Sequence, residues 1–139
     1  MIVKRFIVNN GDMSSNYFFS FFVEGETIWA ANRGSGVFKL NTRTDKLENI
    51  RFNNNTLDEI YSICKDNDNN YLIGTSSGLV KYRGKDDYQV FNKTTGFPNN
   101  VIHCILPEED GTFWLSTNNG MINYNSKNNS FRLFNHLDG

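Results

Sequence analysis

The chain repeats itself with a period of about 42 residues, and this period constrains its fold more than any other feature. Ile28-Trp29-Ala30-Ala31-Asn32, Tyr71-Leu72-Ile73-Gly74-Thr75 and Phe113-Trp114-Leu115-Ser116-Thr117 align, and each is followed by a glycine. Those glycines, Gly36, Gly78 and Gly120, stand at intervals of 42 and 42. After each comes a short apolar segment: Val37-Phe38-Lys39-Leu40, Leu79-Val80-Lys81-Tyr82 and Met121-Ile122-Asn123-Tyr124. Upstream lies another apolar run, Tyr17 to Val23, Ile60 to Cys64 and Val101 to Leu106, and a fourth piece closes each unit at Phe52, Phe91 and Phe134. A unit of this size cannot bury its apolar faces alone, so it must stack on its own copies.

The first two runs of each unit are joined by Glu24-Gly25-Glu26, Asp66-Asn67-Asp68-Asn69-Asn70 or Glu108-Glu109-Asp110-Gly111. Asn and Gly tolerate positive φ, so these are hairpin signals. One unit is therefore four short strands; in the middle copy they are a (60–65), b (71–76), c (78–83) and d (87–92). No stretch has the 3.6-residue periodicity of a long helix. The composition agrees: 14% aromatic residues, 12 of them Phe, fill strands, and 22 Asn supply turns. The expected fold is all-β, a β-propeller fragment of three four-stranded antiparallel blades plus one orphan outer strand. The blades fall at approximately 7–52, 53–91 and 92–135. Residues 2–6 read as the outer strand of a preceding blade, because Phe6 precedes Gly11 as Phe91 precedes Gly96 and Phe134 precedes Gly139. Propellers close with ~4–8 blades. Three leave two apolar faces open, so the expected partners include the remaining blades of a longer protein or other copies of the chain.

The charge sum, 14 Lys+Arg minus 15 Asp+Glu, is −1, which excludes the basic footprint of a nucleic-acid or polybasic membrane binder. No run approaches the ~20 apolar residues of a membrane span, and the N-terminus lacks the apolar core of a signal peptide. Cys64 and Cys104 form neither a disulfide framework nor a zinc pattern and read as buried strand thiols.

In a propeller the d-to-a and b-to-c loops share one face. Here those loops offer Asn32, Arg33, Ser76, Ser77, Asn99, Asn100, Asn118 and Asn119 as candidate ligand-binding residues, with Ser14-Ser15-Asn16 and Asn54-Asn55-Thr56 beside them. Short hydroxyl and amide groups suit an uncharged, hydroxyl-rich ligand such as an oligosaccharide. Tight turns require the same residues. His103 lies on an a strand at the position held by Tyr61 and reads as a packed or channel-lining histidine; Glu59 is the nearest candidate for an orienting carboxylate. The acidic runs at 66–70 and 108–111 invite a calcium reading, but Tyr71 and Ser77 stand where an EF-hand loop needs Gly and Glu. They read as solvated hairpins. Trp29 and Trp114 occupy matching b-strand positions with Leu72 between them, which favours core packing over a sugar platform. No catalytic residue, metal or cofactor is expected.

The unit Gly96-Phe97-Pro98-Asn99-Asn100-Val101-Ile102 through Asp110-Gly111-Thr112-Phe113-Trp114-Leu115-Ser116-Thr117 and on to Gly120-Met121-Ile122-Asn123-Tyr124 resembles the two-component regulator propeller repeat. The middle copy is similar through Ile60, Ile63, Asp66, Leu72-Ile73-Gly74-Thr75, Gly78-Leu79 and Tyr82, with Leu72 replacing the Trp. The first copy is looser, keeping Trp29 and the turn at 32–36. The resemblance implies a non-enzymatic sensor region of a hybrid histidine kinase or related signalling protein, periplasmic within a longer membrane-anchored chain. It would bind an oligosaccharide or a partner domain. Streptogramin lyases and lactonase-type propellers have similar blades; that alternative calls for several inward Glu or His, and this chain offers Glu59 and His103.

Overall fold

The computed structural model describes residues 17–136 apart from Asn53 and Asn55. The outer strand expected at 2–6 and the loop Ser14-Ser15-Asn16 lie outside the described residues. Twelve strands among those described form three four-stranded antiparallel sheets, each a meander in chain order. The first blade is β1 (Phe18–Glu24), β2 (Thr27–Asn32), β3 (Val37–Asn41) and β4 (Leu47–Ile50). The second is β5 (Ile60–Lys65), β6 (Tyr71–Thr75), β7 (Gly78–Gly84) and β8 (Asp87–Phe91). The third is β9 (Ile102–Pro107), β10 (Thr112–Thr117), β11 (Gly120–Asn125) and β12 (Ser130–Phe134). The Asn and Asp abundance has a local cause: Asp45, Asp86 and Asn129 take positive φ of 60–62° in the three c-to-d turns.

The core lies between blades, not within them. Trp29 and Ala31 of the first blade pack with Ile63, Ile73, Val80 and Tyr82 of the second. The opposite face of the second blade presents Cys64, Leu72 and Leu79 to Ile105, Phe113, Leu115, Ile122 and Tyr124 of the third. The second blade is thus buried on both faces, so its strands read as near-continuous apolar runs. The terminal blades keep exposed side chains on their outward faces: Phe21 and Val23 on β1, Leu106 and Met121 on the third blade.

The repeating glycines fix how each blade closes. Gly36, Gly78 and Gly120 have φ of +79°, +140° and +101°. A Cβ on them would lie 2.2, 2.6 and 2.3 Å from the carbonyl oxygens of Ile50, Phe91 and Phe134. Only glycine permits both the backbone angle and the approach of the outer strand. This equivalence corrects the repeat register: Ile50, not Phe52, is the counterpart of Phe91 and Phe134. Phe52 lies beyond β4 and packs against Tyr82 and Tyr88 of the second blade, with ring centroids 6.2 and 4.9 Å away.

Three further expectations are revised. Cys64 is buried, which pushes its thiol up to about 12, but Cys104 is exposed because it lies on the third blade, which has no described neighbour beyond it. Trp29, facing the second blade, is 2% exposed, whereas Trp114 is only half-buried. It is covered by Phe134 and donates its indole N–H to Glu108 at 2.8 Å. Asp66 is no solvated turn residue: it is buried and ties the second blade to the third. Its carboxylate accepts from the Ser126 hydroxyl, the Asn70 side-chain amide and the backbone N–H groups of Asp68 and Asn70. Lys81, equally buried, donates to the Ser126 carbonyl at 2.5 Å and to Asn129 Oδ1 at 3.1 Å.

Burial pushes the Asp66 carboxyl up, but the hydrogen bonds from Ser126, Asn70 and the backbone outweigh it and hold the group below its ordinary 3.8. A carboxyl depressed in the fold contributes stability above its unfolded value, lost as pH falls through the folded one. Acid unfolding of Asp66→Asn is therefore expected to start from a lower stability and show a shallower decline below pH ~4 than the parent. Asp66→Ala, which leaves the buried Ser126 hydroxyl and Asn70 amide without their acceptor, is expected to cost about 3 kcal/mol in urea melts. Gly120→Ala, which meets both the backbone strain and the Phe134 carbonyl, is expected to cost about 2 kcal/mol in the same assay.

Candidate functional site

Each innermost strand carries one irregularity, and all three fall at the same repeat position. The β1–β2 register skips between Phe18 and Ser20, the β5–β6 register between Ile60 and Ser62, and the β9–β10 pairing passes from Ile102 to Cys104. The unpaired residues are Phe19, Tyr61 and His103, spaced by 42 and 42. A bulge re-aims the side chain it carries. Here the three rings form one row across the blades: Phe19 and Tyr61 centroids are 5.3 Å apart, Tyr61 and His103 5.4 Å. Phe19 is 52% exposed, His103 is exposed and Tyr61 is half-buried, so the row is open to solvent along its length.

Polar groups flank the row at the loop face. The Tyr61 hydroxyl donates to the Glu59 carboxylate; burial, then that bond, raises the phenol above its ordinary value. Glu59 also pairs by backbone bridge with Arg33 from the first blade's b-to-c turn, and its carbonyl accepts from Ser76 N at 3.1 Å. His103 Nε2 lies 2.6 Å from Asn118 Oδ1, in the third blade's b-to-c turn. The carboxylate named as a possible orienter of His103 is thus engaged by Tyr61, and the histidine meets an amide instead.

The eight loop residues expected on this face divide sharply. Arg33 and Asn118 border the aromatic row. Asn32 is fully buried, its Oδ1 accepting from Ser35 N at 3.0 Å. The Ser76 hydroxyl donates to the Thr56 carbonyl at 2.7 Å, and the Ser77 carbonyl accepts from Asn92 Nδ2 at 3.0 Å. Asn99 Oδ1 accepts from Val101 N and Asn100 Oδ1 from Lys93 N, at 3.1 and 2.9 Å. Asn119 N donates to the Thr117 hydroxyl at 3.1 Å, which itself donates to the Gly120 carbonyl. The side chains of Asn32, Ser76, Asn99 and Asn100 are therefore spent on the loop backbone, while Ser77 and Asn119 join these turns through their main chain. Phe19 and Tyr61 are the residues that loop composition does not find; their signal is the 42-residue spacing they share with His103. Among the described residues, no three His, Cys, Asp or Glu side chains gather as a metal site.

Residues 56–77 and 96–119 match the sequence profile of the two component regulator propeller family. No curated protein matches the chain. Among solved structures, the chain is similar to the extracellular domain of a protein from B. thetaiotaomicron, BT3049, described as a hybrid two component system. The TM-score is 0.77 and the identity 25%, over 98% of this chain and 19% of that one. The extracellular domain of BT4673, from the same organism, superposes with a TM-score of 0.72 at 19% identity, over 93% of this chain and 18% of that one, and speaks for the fold. The chain thus spans about a fifth of the length of these structures. The chain is a three-bladed stretch of β-propeller whose second and third blades are similar in sequence to the two component regulator propeller repeat.

Proposed function

We propose that this chain supplies blades, approximately 7–52, 53–91 and 92–135, to the extracytoplasmic sensing region of a two-component signalling protein. It acts by binding, without catalysis. The observation that carries this reading is the likeness to a hybrid two-component extracellular domain over 98% of the chain, joined to the two matched repeats.

The recognition surface is the loop face around Phe19, Tyr61 and His103. Aromatic rings at one repeat position offer flat apolar faces to sugar C–H groups or to a partner's side chains. Arg33, Glu59 and Asn118 at the rim supply a cation, a carboxylate and an amide for hydroxyl recognition. The chemistry favours a neutral oligosaccharide: hydroxyls can pair with both donors and acceptors here, while the apolar sugar face covers the rings. His103 is held by an amide, whereas a general base is usually oriented by a carboxylate, and this supports binding over turnover.

An array of neutral oligosaccharides, followed by titration of any that binds, tests the proposal. Binding is expected without chemical change to the sugar. Tyr61→Ala is expected to weaken it about tenfold, the loss of one stacked ring. A bound sugar whose affinity is indifferent to Tyr61→Ala would place recognition elsewhere, and cleavage of the sugar would overturn the non-catalytic reading.

A further inference from the structure

The two interfaces between blades are built alike but end differently. Lys39 and Lys81 occupy the same ladder position, opposite Trp29 and Leu72. Lys81 reaches across to the third blade and is capped by its four-residue c-to-d turn, through the Ser126 carbonyl and Asn129 Oδ1. The corresponding turn of the second blade is only Lys85-Asp86, two residues shorter. It cannot fold over the interface to cap Lys39. A cleft of about 650 Å³ stands there instead, lined by Lys39 and closed on its sides by β4 and by the short turn.

The walls of the cleft have a definite chemistry. Tyr88, 37% exposed, meets Phe52 at 4.9 Å, and Tyr82 lies behind them, so one side is aromatic. Lys39, Arg51 and Lys85 bring three cations, against the carboxylates of Glu48 and Asp86. Glu48 is already engaged by Lys46 at 3.0 Å. Below, the Lys39 ammonium rests 4.9 Å over the Trp29 ring, whose buried indole N–H has no hydrogen-bond partner. Lys39, which lacks the turn acceptors of Lys81, thus rests over a ring with an unpartnered buried donor, in a joint whose other polar contacts are those of Glu24 with Lys65 and the Tyr71 hydroxyl.

We propose that this inter-blade cleft is a second binding site, taking a carboxylated sugar. The carboxylate replaces at Lys39 the acceptors that Ser126 and Asn129 supply to Lys81, and the sugar ring lies against Tyr88. An anion is favoured by the excess of cations and a ring by the aromatic wall. The site is on the outer edge of the blades, separate from the loop face, and does not depend on the reading given above for that face.

Calorimetric titration of the chain with digalacturonate, and with the neutral digalactoside as its counterpart, tests this. The acidic disaccharide is expected to bind and the neutral one at least about tenfold more weakly. Lys85→Ala, at an exposed turn position, and Tyr88→Phe and Tyr88→Ala, compared for folding because Tyr88 packs on Phe52, test the walls: Lys85→Ala and Tyr88→Ala are each expected to weaken the acidic ligand about three- to tenfold and Tyr88→Phe to keep it. Replacing Lys85-Asp86 by Ser-Lys-Asn-Asn, the turn of the third blade, is expected to cap Lys39 and abolish binding. No binding of digalacturonate, equal binding of both sugars, or binding that persists in the folded turn variant overturns the proposal. If that variant does not fold, the two alanine variants decide. Loss of digalacturonate binding in Tyr61→Ala would assign it to the loop face and likewise overturn the cleft.

Discussion

A four-stranded blade with apolar side chains on both faces cannot satisfy itself, and everything else in this chain follows from that constraint. The second blade shows it most plainly. Ile63, Ile73 and Val80 need the first blade, while Cys64, Leu72 and Leu79 need the third. Hydrophobic stabilisation here is a property of neighbouring pairs, as in other repeat architectures, so each interface contributes separately. The polar contacts obey the same logic. Asp66 and Lys81 of the second blade are tied to Ser126 of the third by bonds that exist only across the joint between them. An interface of this kind fixes the angle between blades as well as adding to stability, because buried donors and acceptors tolerate little sliding.

The strand pattern was legible in the sequence because its signals are local. The spacing of Gly36, Gly78 and Gly120 reflects a steric demand at each copy, and a steric demand leaves a residue of one type. The strands assigned to the middle copy agree with those observed to within a residue at each end. What was illegible depended on which face of a blade a residue takes. Trp29 and Trp114 look identical in the repeat, yet among the described residues one faces a neighbouring blade and the other does not. Cys104 differs from Cys64 for the same reason. Phe52 misled because a large aromatic at nearly the right interval imitates the strand-closing position, while the backbone contact at Gly36 selects Ile50.

The loop face teaches a related lesson about polar residues. Asn, Ser and Thr in a turn have a first claim on them from nearby backbone N–H groups, and Asn32, Asn99, Asn100 and Thr117 accept in that way. A side chain becomes available for recognition when the backbone removes it from that local pairing. The bulges at Phe19, Tyr61 and His103 do this, since each steps one residue out of the ladder. Composition cannot reveal a bulge. A shared interval of 42 can, once it is asked which residues at that interval differ in chemistry while their neighbours stay apolar.

Variation among copies that share a scaffold is where a repeat protein gains individuality. Positions that close the blade, such as Gly78, cannot vary without strain; the length of a c-to-d turn can, because it projects beyond the sheet. Four residues at that turn give the second and third blades a capped lysine and a sealed polar joint. Two give the first and second blades an uncapped lysine beside open volume. The shorter turn leaves Lys39 without the acceptors that Lys81 has, resting over a Trp29 ring whose Nε1 has no partner. Along its lower edge this joint is held by ring packing, Trp29 on Tyr71 at 4.1 Å, and by part-buried bonds to Glu24 of β1 from Lys65 and the Tyr71 hydroxyl. Apolar contact and a part-buried ion pair, which water can replace, are less exacting than the buried Asp66–Ser126–Lys81 network, so of the two joints this is the one better able to adjust its angle when something occupies the cleft.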